Sequence, residues 1–303
     1  MIALVGPTAT GKSALAISVA QALIAGGHPI EIVNGDSMLV YRGMDIGTAK
    51  PSAAERAAVP HHLIDVLDVT QTASVAQFQA MARAAIADCE ARGALPILVG
   101  GSALYVHAIL DEMDFPGTDP GVRARWEAEL ARVGPQALHD ELARRNPAVA
   151  AEILPGNGRR IVRALEVIEL TGSFQPRLPV PAYALPGVVQ VGLSIERDEL
   201  DARIDARVEA MWHQGFVDEV RGLDAKGLRQ GMTASRALGY RQVLAMLDGE
   251  VSKDEAKAAT KQATRRFARK QMGWFRRDAR IRWLPYDAAD LVRKVSAAAL
   301  TAR

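Results

Sequence analysis

Gly6-Pro7-Thr8-Ala9-Thr10-Gly11-Lys12-Ser13 follows the short apolar run Ile2-Ala3-Leu4-Val5 and opens a stretch with helical spacing, Leu15, Val19 and Leu23. The octet satisfies G-x-x-x-x-G-K-[ST] in full and lies between an expected strand and an expected helix, the context that makes the pattern meaningful. Its glycines let the backbone wrap closely, so that loop N–H groups and the helix N-terminus face a polyphosphate. Lys12 adds a point charge, and the Ser13 hydroxyl is placed to ligate Mg²⁺. A phosphate site over residues 6 to 13 follows, without saying which phosphate compound it holds.

Working outward, the first third alternates strands and helices. Glu31-Ile32-Val33 reads as a second strand and Leu63 to Val66 as a third. Ser74 to Arg92 reads as an amphipathic helix through Val75, Phe78, Met81, Ala85 and Cys89, and Leu95 to Val99 as an apolar strand. Short strands buried on both faces and separated by helices predict a parallel α/β sheet with ligands at the strands' carboxyl ends. From Pro116 to Thr171 the pattern is helical throughout, carrying Trp126, Leu138, Leu142, Ile161, Leu165 and Ile168. A Pro- and Gly-rich loop follows to Gly187, then a strand from Val188 to Leu193. Leu200 to Val220 reads as one long helix and Ala256 to Arg277 as another. The expected fold is α/β, a P-loop NTPase-like parallel sheet flanked by helices, formed by 1–113 and 188–303. An all-helical insertion occupies 114–187.

With 49% hydrophobic residues over 303, the chain is globular rather than disordered. Lys plus Arg total 37 against 35 Asp plus Glu, which excludes a polycationic arm but not a basic face balanced elsewhere. Cys89, the single cysteine, forms neither an internal disulfide nor a cysteine-based zinc site. No apolar run approaches the roughly 20 residues that span a bilayer. The first residues lack a charged leader region. A cytoplasmic protein with no membrane partner is expected.

A phosphate loop usually implies nucleotide hydrolysis or kinase chemistry, which needs a metal-holding acid on a later strand. The run Leu95 to Val99 ends instead in Gly100-Gly101-Ser102. The well-placed carboxylate is in Asn34-Gly35-Asp36-Ser37, after the second strand, where it suits a general base facing the phosphate site. On these residues alone a small-molecule P-loop kinase stays open.

The run Asp36-Ser37-Met38-Leu39-Val40-Tyr41-Arg42-Gly43-Met44-Asp45-Ile46-Gly47-Thr48-Ala49-Lys50-Pro51 resembles the signature of the tRNA dimethylallyltransferases in their bacterial form, which lacks a zinc-finger extension. So do Pro60 to Asp65, Gly100 to Tyr105, Arg160 to Val167 and Gly239 to Gln242, in family order over essentially the whole chain. The resemblance implies transfer of the dimethylallyl group from dimethylallyl diphosphate to N6 of the adenosine 3′ of the anticodon, by a monomer acting on the anticodon stem-loop. It implies that the loop holds a prenyl diphosphate, that Asp36 is the general base, and that Lys12, Ser13, Mg²⁺ and Arg207 stabilise the leaving diphosphate. Without it, Arg207 reads as a solvated helix residue. By the same resemblance Asp36, Ser37, Met38 and Leu39 surround the target base. Ser102, in place of the usual threonine, and Arg123 contact tRNA. So do Arg159, Arg160, Ile161, Val162 and Arg163, where Arg159 replaces the usual glutamine and Asn157 a common aspartate, and the segment Arg236 to Arg241 with Gly239 and Tyr240. An adenylate isopentenyltransferase, which prenylates free nucleotides, is similar around the loop, but the Arg159–Arg163 segment and the helical insertion favour tRNA. A non-enzymatic RNA-binding protein with a vestigial loop is disfavoured by intact Lys12, Ser13 and Asp36.

Between Lys261 and Arg282 stand Lys261, Arg265, Arg266, Arg269, Lys270, Arg276, Arg277, Arg280 and Arg282 against Asp278 alone. With tRNA as partner this segment is expected to meet phosphates. Its interleaved aromatics Phe267, Trp274, Phe275 and Trp283 offer faces on which bases stack, but at helical spacing they are expected in the core, as are Trp126, Trp212 and Cys89. His61 and His62 resemble a ligand pair, but no carboxylate stands at metal spacing in the sequence.

Overall fold

The computed structural model describes residues 1–301. Among these, six strands and twelve α-helices alternate: β1 Ile2–Val5, α1 Lys12–Ala25, β2 Ile30–Asn34, α2 Ala53–Ala58, β3 His61–His62, α3 Val75–Ala91, β4 Leu95–Gly100, α4 Ala103–Leu110, α5 Pro120–Arg145, α6 Pro147–Ala151, α7 Gly158–Thr171, β5 Val189–Ser194, α8 Arg197–His213, α9 Phe216–Asp224, α10 Tyr240–Leu247, α11 Lys253–Phe275, β6 Ile281–Pro285 and α12 Leu291–Thr301. Two compact units result: residues 1–112 with the chain from 181 onward, and 113–180.

In the first unit all strands pair in parallel, in the order β3-β2-β4-β1-β5-β6. Side chains alternate across the sheet, so each face has its own core. Ala3, Val5, Val33 and Leu98 join Phe78, Ile86, Val106, Ile109 and Phe216 on one face. Ile2, Leu4, Ile32, Ile97, Val191 and Leu193 join Leu15, Val19, Leu23 and Val295 on the other. The continuous apolar strands legible in the sequence are therefore strands covered by helices on both sides.

Four elements differ from the sequence reading. The third strand is His61–His62 only. Leu63 and Asp65 adopt left-handed φ of 62° and 58°, and the chain leaves the sheet to pair with the signature loop, Asp65 and Val66 donating to Leu39 and Val40. The helix expected to reach Val220 is broken at Gly215, φ 95°, into α8 and α9. The basic segment is not one helix to Arg277, because α11 ends at Phe275 and Ile281–Pro285 adds the edge strand beside β5. Residues 181–187 belong with the first unit, where Glu112 donates to Ala182 and Ala184 to Leu110.

The second unit is helical, with Trp126, Leu138, Leu142, Val149, Ile161, Val162 and Leu165 as its core. Its hydrophobic stripe on α7 carries one carboxylate, Glu166, fully buried. Glu166 accepts from Arg123 at 2.6 Å, Thr118 at 2.5 Å and Arg163 at 2.9 Å. Burial opposes its ionisation, but these donors outweigh it and hold the carboxyl at about 2, against an ordinary 4.5. A depressed carboxyl stabilises the fold in full above its unfolded value, and that stabilisation is lost as pH falls towards the folded one. Glu166→Ala leaves two arginines and a hydroxyl without their acceptor, and should cost the helical unit about 3 kcal/mol. Urea unfolding followed by tryptophan fluorescence should show this, and the part of the wild-type loss between pH 4.5 and about 2 that Glu166 contributes should be absent in Glu166→Gln.

Candidate active site

The carboxyl ends of β1, β2 and β4 carry the residues singled out in the sequence. After β1 the loop turns through Gly6, φ 133°, and Gly11, φ 89°. A side chain at Gly6 would press on the Leu193 carbonyl at 3.3 Å. Gly11 caps α1 without a side-chain hydrogen bond, so the first-turn N–H groups face the loop with no side-chain acceptor. Lys12 lies folded onto the Pro7 carbonyl, 2.6 Å, and Thr10 closes the same turn at 2.9 Å.

After β2, Asn34 builds the seat of Asp36. Its side chain accepts from the Asp36 amide at 2.7 Å and donates to the carbonyls of Asp36 and Leu63 at 2.8 and 2.9 Å. The Asp36 carboxylate accepts from the Met38 amide at 2.8 Å. One carboxylate oxygen is thereby oriented by the backbone.

Arg207 of α8 joins this site from 199 residues away, its guanidinium donating to Thr8 Oγ1 and the Thr48 carbonyl, each at 3.3 Å. It is a cavity residue, not the solvated one that helix spacing alone implies. A cavity of about 680 Å³ is lined by Lys12, Ser13, Asp36, Ser37, Met38, Leu39, Ser102 and Arg207, with Ile204, Val208, Met211 and Phe216 as apolar wall. Burial and the neighbouring Arg207 charge push the Lys12 ammonium down to about 7, with Asp36 opposing. Two buried cations at one cavity are costly until an anion arrives. Ser13 is exposed to the cavity and has no hydrogen-bond partner among the described residues. Its hydroxyl is a hard oxygen donor of the kind that fits Mg²⁺, which keeps waters and phosphate oxygens as its other ligands.

Two residues that sequence reasoning missed hold this arrangement. Glu219 of α9 accepts from the amides of Asp45, Ile46 and Gly47 at 3.0, 2.6 and 3.1 Å and from Tyr240 Oη at 2.6 Å. It fixes the loop whose Thr48 carbonyl receives Arg207. Any side chain at Gly47 would run into Phe216 and Tyr240, while Lys50 is buried between Asp45 and Asp65 at 2.7 and 2.5 Å. Much of the long signature run is thus a loop beside the cavity, held in place by Glu219, Tyr240 and Asp65. Gln271 of α11, 5% exposed, accepts from the Thr8 amide at 2.9 Å and donates to the Gly101 carbonyl at 2.7 Å. The only sequence signal for it is a polar residue at a buried helical register. Gln271→Ala frees the phosphate loop from the end of β4, and should raise KM for the phosphate-bearing substrate about tenfold with a smaller effect on kcat. Steady-state kinetics of the purified variant checks this.

The expected RNA-facing residues divide. Ser102, Arg236, Gly239, Tyr240 and Arg241 line the cavity. Tyr240 is a buried strut to Glu219, and Gly239, φ 86°, packs on Phe216. Ile161 and Val162 were expected to contact tRNA, but their side chains are interior to the helical unit. In that unit Arg123 and Arg163 are engaged by Glu166, and Arg160 by the Pro176 carbonyl. Arg159 is exposed and has no partner among the described residues. His62 meets a carboxylate after all, Glu31 at 2.5 Å. Cys89 lies beside them, 3.4 Å from Glu31, its thiol pushed up to about 12, chiefly by burial. Arg92 takes both Glu31 oxygens, so this cluster is a charge-paired knot between strand and helix.

The basic segment splits by helix face. Lys257 and Lys261 pair with Glu209 at 2.9 and 2.6 Å, Arg265 with Asp205, and Arg269 with Asp201 at 3.5 Å. Acids at i, i+4 and i+8 on α8 therefore meet bases at the same spacing on α11. Arg280 is held by Asp111 and Asp278. Arg266, Lys270, Arg276, Arg277 and Arg282 have no acidic partner among the described residues. Phe275 is buried as expected, but Phe267 and Trp274 are 39% and 41% exposed.

Comparison with known proteins places these residues in a wider set. Residues 39–278 match the family model described as IPP transferase. The tRNA dimethylallyltransferase of Kineococcus radiotolerans is 62% identical over 301 residues, 97% of this chain and 95% of that protein. That of Thermobifida fusca is 61% identical over 298 residues, 98% and 93%. The crystal structure of the full-length tRNA isopentenylpyrophosphate transferase of Bacillus halodurans superposes with a TM-score of 0.70 at 40% identity, covering 98% of this chain and 94% of that one.

Proposed function

The chain belongs to the IPP transferase family, and from that premise we propose that it transfers the dimethylallyl group of dimethylallyl diphosphate to N6 of the adenosine 3′ of the anticodon in tRNA. The observation that carries the reading is the pairing of a cationic end, Lys12 and Arg207 beside the loop amides, with Asp36 at one cavity. The diphosphate seats on the loop and the two cations. The apolar wall from Ile204 to Phe216 suits the prenyl chain, and the volume is that of a small-molecule site. N6 attacks the allylic carbon, and the C–O bond to diphosphate breaks with its electron pair leaving on oxygen. The N6 proton passes to the Asp36 carboxylate.

An exocyclic amine is a weak nucleophile, so a base oriented by Asn34 and the Met38 amide assists as the C–N bond forms. Charge growing on the leaving group meets donors already in place, the arrangement that contributes most to such barriers. Mg²⁺ at Ser13 would neutralise part of the diphosphate charge. The target base must leave its stack to enter the cavity. Purified protein given Mg²⁺, labelled dimethylallyl diphosphate and either unmodified tRNA or AMP tests the reading. Label in tRNA is expected. Label in AMP alone would make this a nucleotide enzyme, and ATP consumption without transfer would overturn the proposal.

A further inference from the structure

Helix α11 carries two rows of cations with different fates. At 3.6 residues per turn, Phe267, Lys270 and Trp274 fall within about 60° of one another, with Arg266 about 40° further round. Lys261, Arg265 and Arg269 lie on another face, where Glu209, Asp205 and Asp201 neutralise them. Arg266 and Lys270 have no acid within reach among the described residues, so one face is electrically satisfied and the other is not.

The unsatisfied face is also the one that exposes aromatic rings. Phe267 and Trp274 are the aromatic members of the exposed large apolar side chains among the described residues. Rings of that size normally dominate cores, and leaving two of them about two-fifths exposed on one stripe needs a reason. Phe267, Arg266 and Lys270 line the cavity that holds Asp36, whereas Trp274 stands two turns further along, about 10 Å from Phe267 by helical rise. The stripe therefore runs from the reaction cavity outward.

We propose that Phe267 and Trp274, flanked by Arg266 and Lys270, form a stacking platform for unpaired nucleotides next to the target adenosine. This rests on the RNA-substrate reading above and specifies how that RNA is held outside the cavity. Alternating rings and free cations match single-stranded nucleic acid, whose bases offer π-faces at intervals along a charged backbone. A 10 Å separation, about two helical turns, suits splayed nucleotides better than a continuous stack. The cations take phosphates, and the rings take bases without demanding a particular one.

The test measures binding of a labelled anticodon stem-loop hairpin by anisotropy, separately from prenyl transfer. Trp274→Ala and Phe267→Ala should each weaken binding about 5- to 150-fold, the range of one base–aromatic stack. Trp274→Phe should retain affinity within a few-fold, and KM for dimethylallyl diphosphate should not move in Trp274→Ala. Hairpin should quench wild-type tryptophan fluorescence, and the quench should be lost in Trp274→Phe. Arg266→Gln with Lys270→Gln should flatten the salt dependence of log Kd by about 0.7 for each phosphate that the variant no longer neutralises. Unchanged affinity and quench in the Trp274 variants would overturn the platform. So would a Trp274→Ala variant that binds RNA normally but changes its mass in solution, which would assign the face to a second copy of the chain. A wild type that binds hairpin and transfers no prenyl group would defeat the function reading while leaving the platform measurable.

Discussion

Asp36→Ala is expected to lower kcat for transfer to tRNA by about 10²–10⁴-fold, the contribution of a positioned general base, while hairpin affinity stays within a few-fold. The aspartate sits at the cavity with one oxygen oriented by the Met38 amide and its own backbone held by Asn34. It is the carboxylate among the cavity-lining residues, so its removal takes the oriented carboxylate acceptor out of the cavity. Asp36→Asn keeps the shape and loses the proton acceptor, and should match the alanine variant in kcat. Single-turnover transfer with excess enzyme isolates the chemical step. Normal turnover in either variant would remove Asp36 from the role.

The second large effect concerns Lys12. Its ammonium is pushed down to about 7 by burial and by Arg207, and an incoming diphosphate favours the protonated form. Above pH 7 the free enzyme loses the proton that the anion needs. kcat/KM for dimethylallyl diphosphate should therefore fall tenfold per pH unit above about 7, whereas kcat at saturation should change less because bound anion retains the proton. Lys12→Ala should cost about 10²–10³-fold in kcat/KM and abolish this limb of the profile. A profile unchanged in Lys12→Ala would assign the titration elsewhere.

Parts of the site were legible because they are local. The phosphate loop needs only glycines at left-handed positions, a lysine and a helix start, all within eight residues. Asp36 was legible because it follows a strand by two residues. Arg207 had no local signal and became visible only through family likeness. The misread third strand had the composition of a strand, but Lys50 and Arg56 draw Asp65 into a different loop. Phe267 and Trp274 carried core periodicity yet remain exposed, because spacing reports which residues share a face and not what lies opposite it.

The parallel α/β core, the phosphate loop and the family are legible along the chain, because strand burial, turn geometry and motif order are local. Which charges are free to meet a ligand follows instead from how the helices pack. Glu219, Gln271 and Arg207 reach the loops at the cavity across 159 to 263 residues. Lys261, Arg265 and Arg269 are neutralised by a helix whose acids lie 52 to 68 positions earlier. Charge and hydrogen bonding are satisfied in space, at separations of a few ångströms that no spacing along the chain specifies.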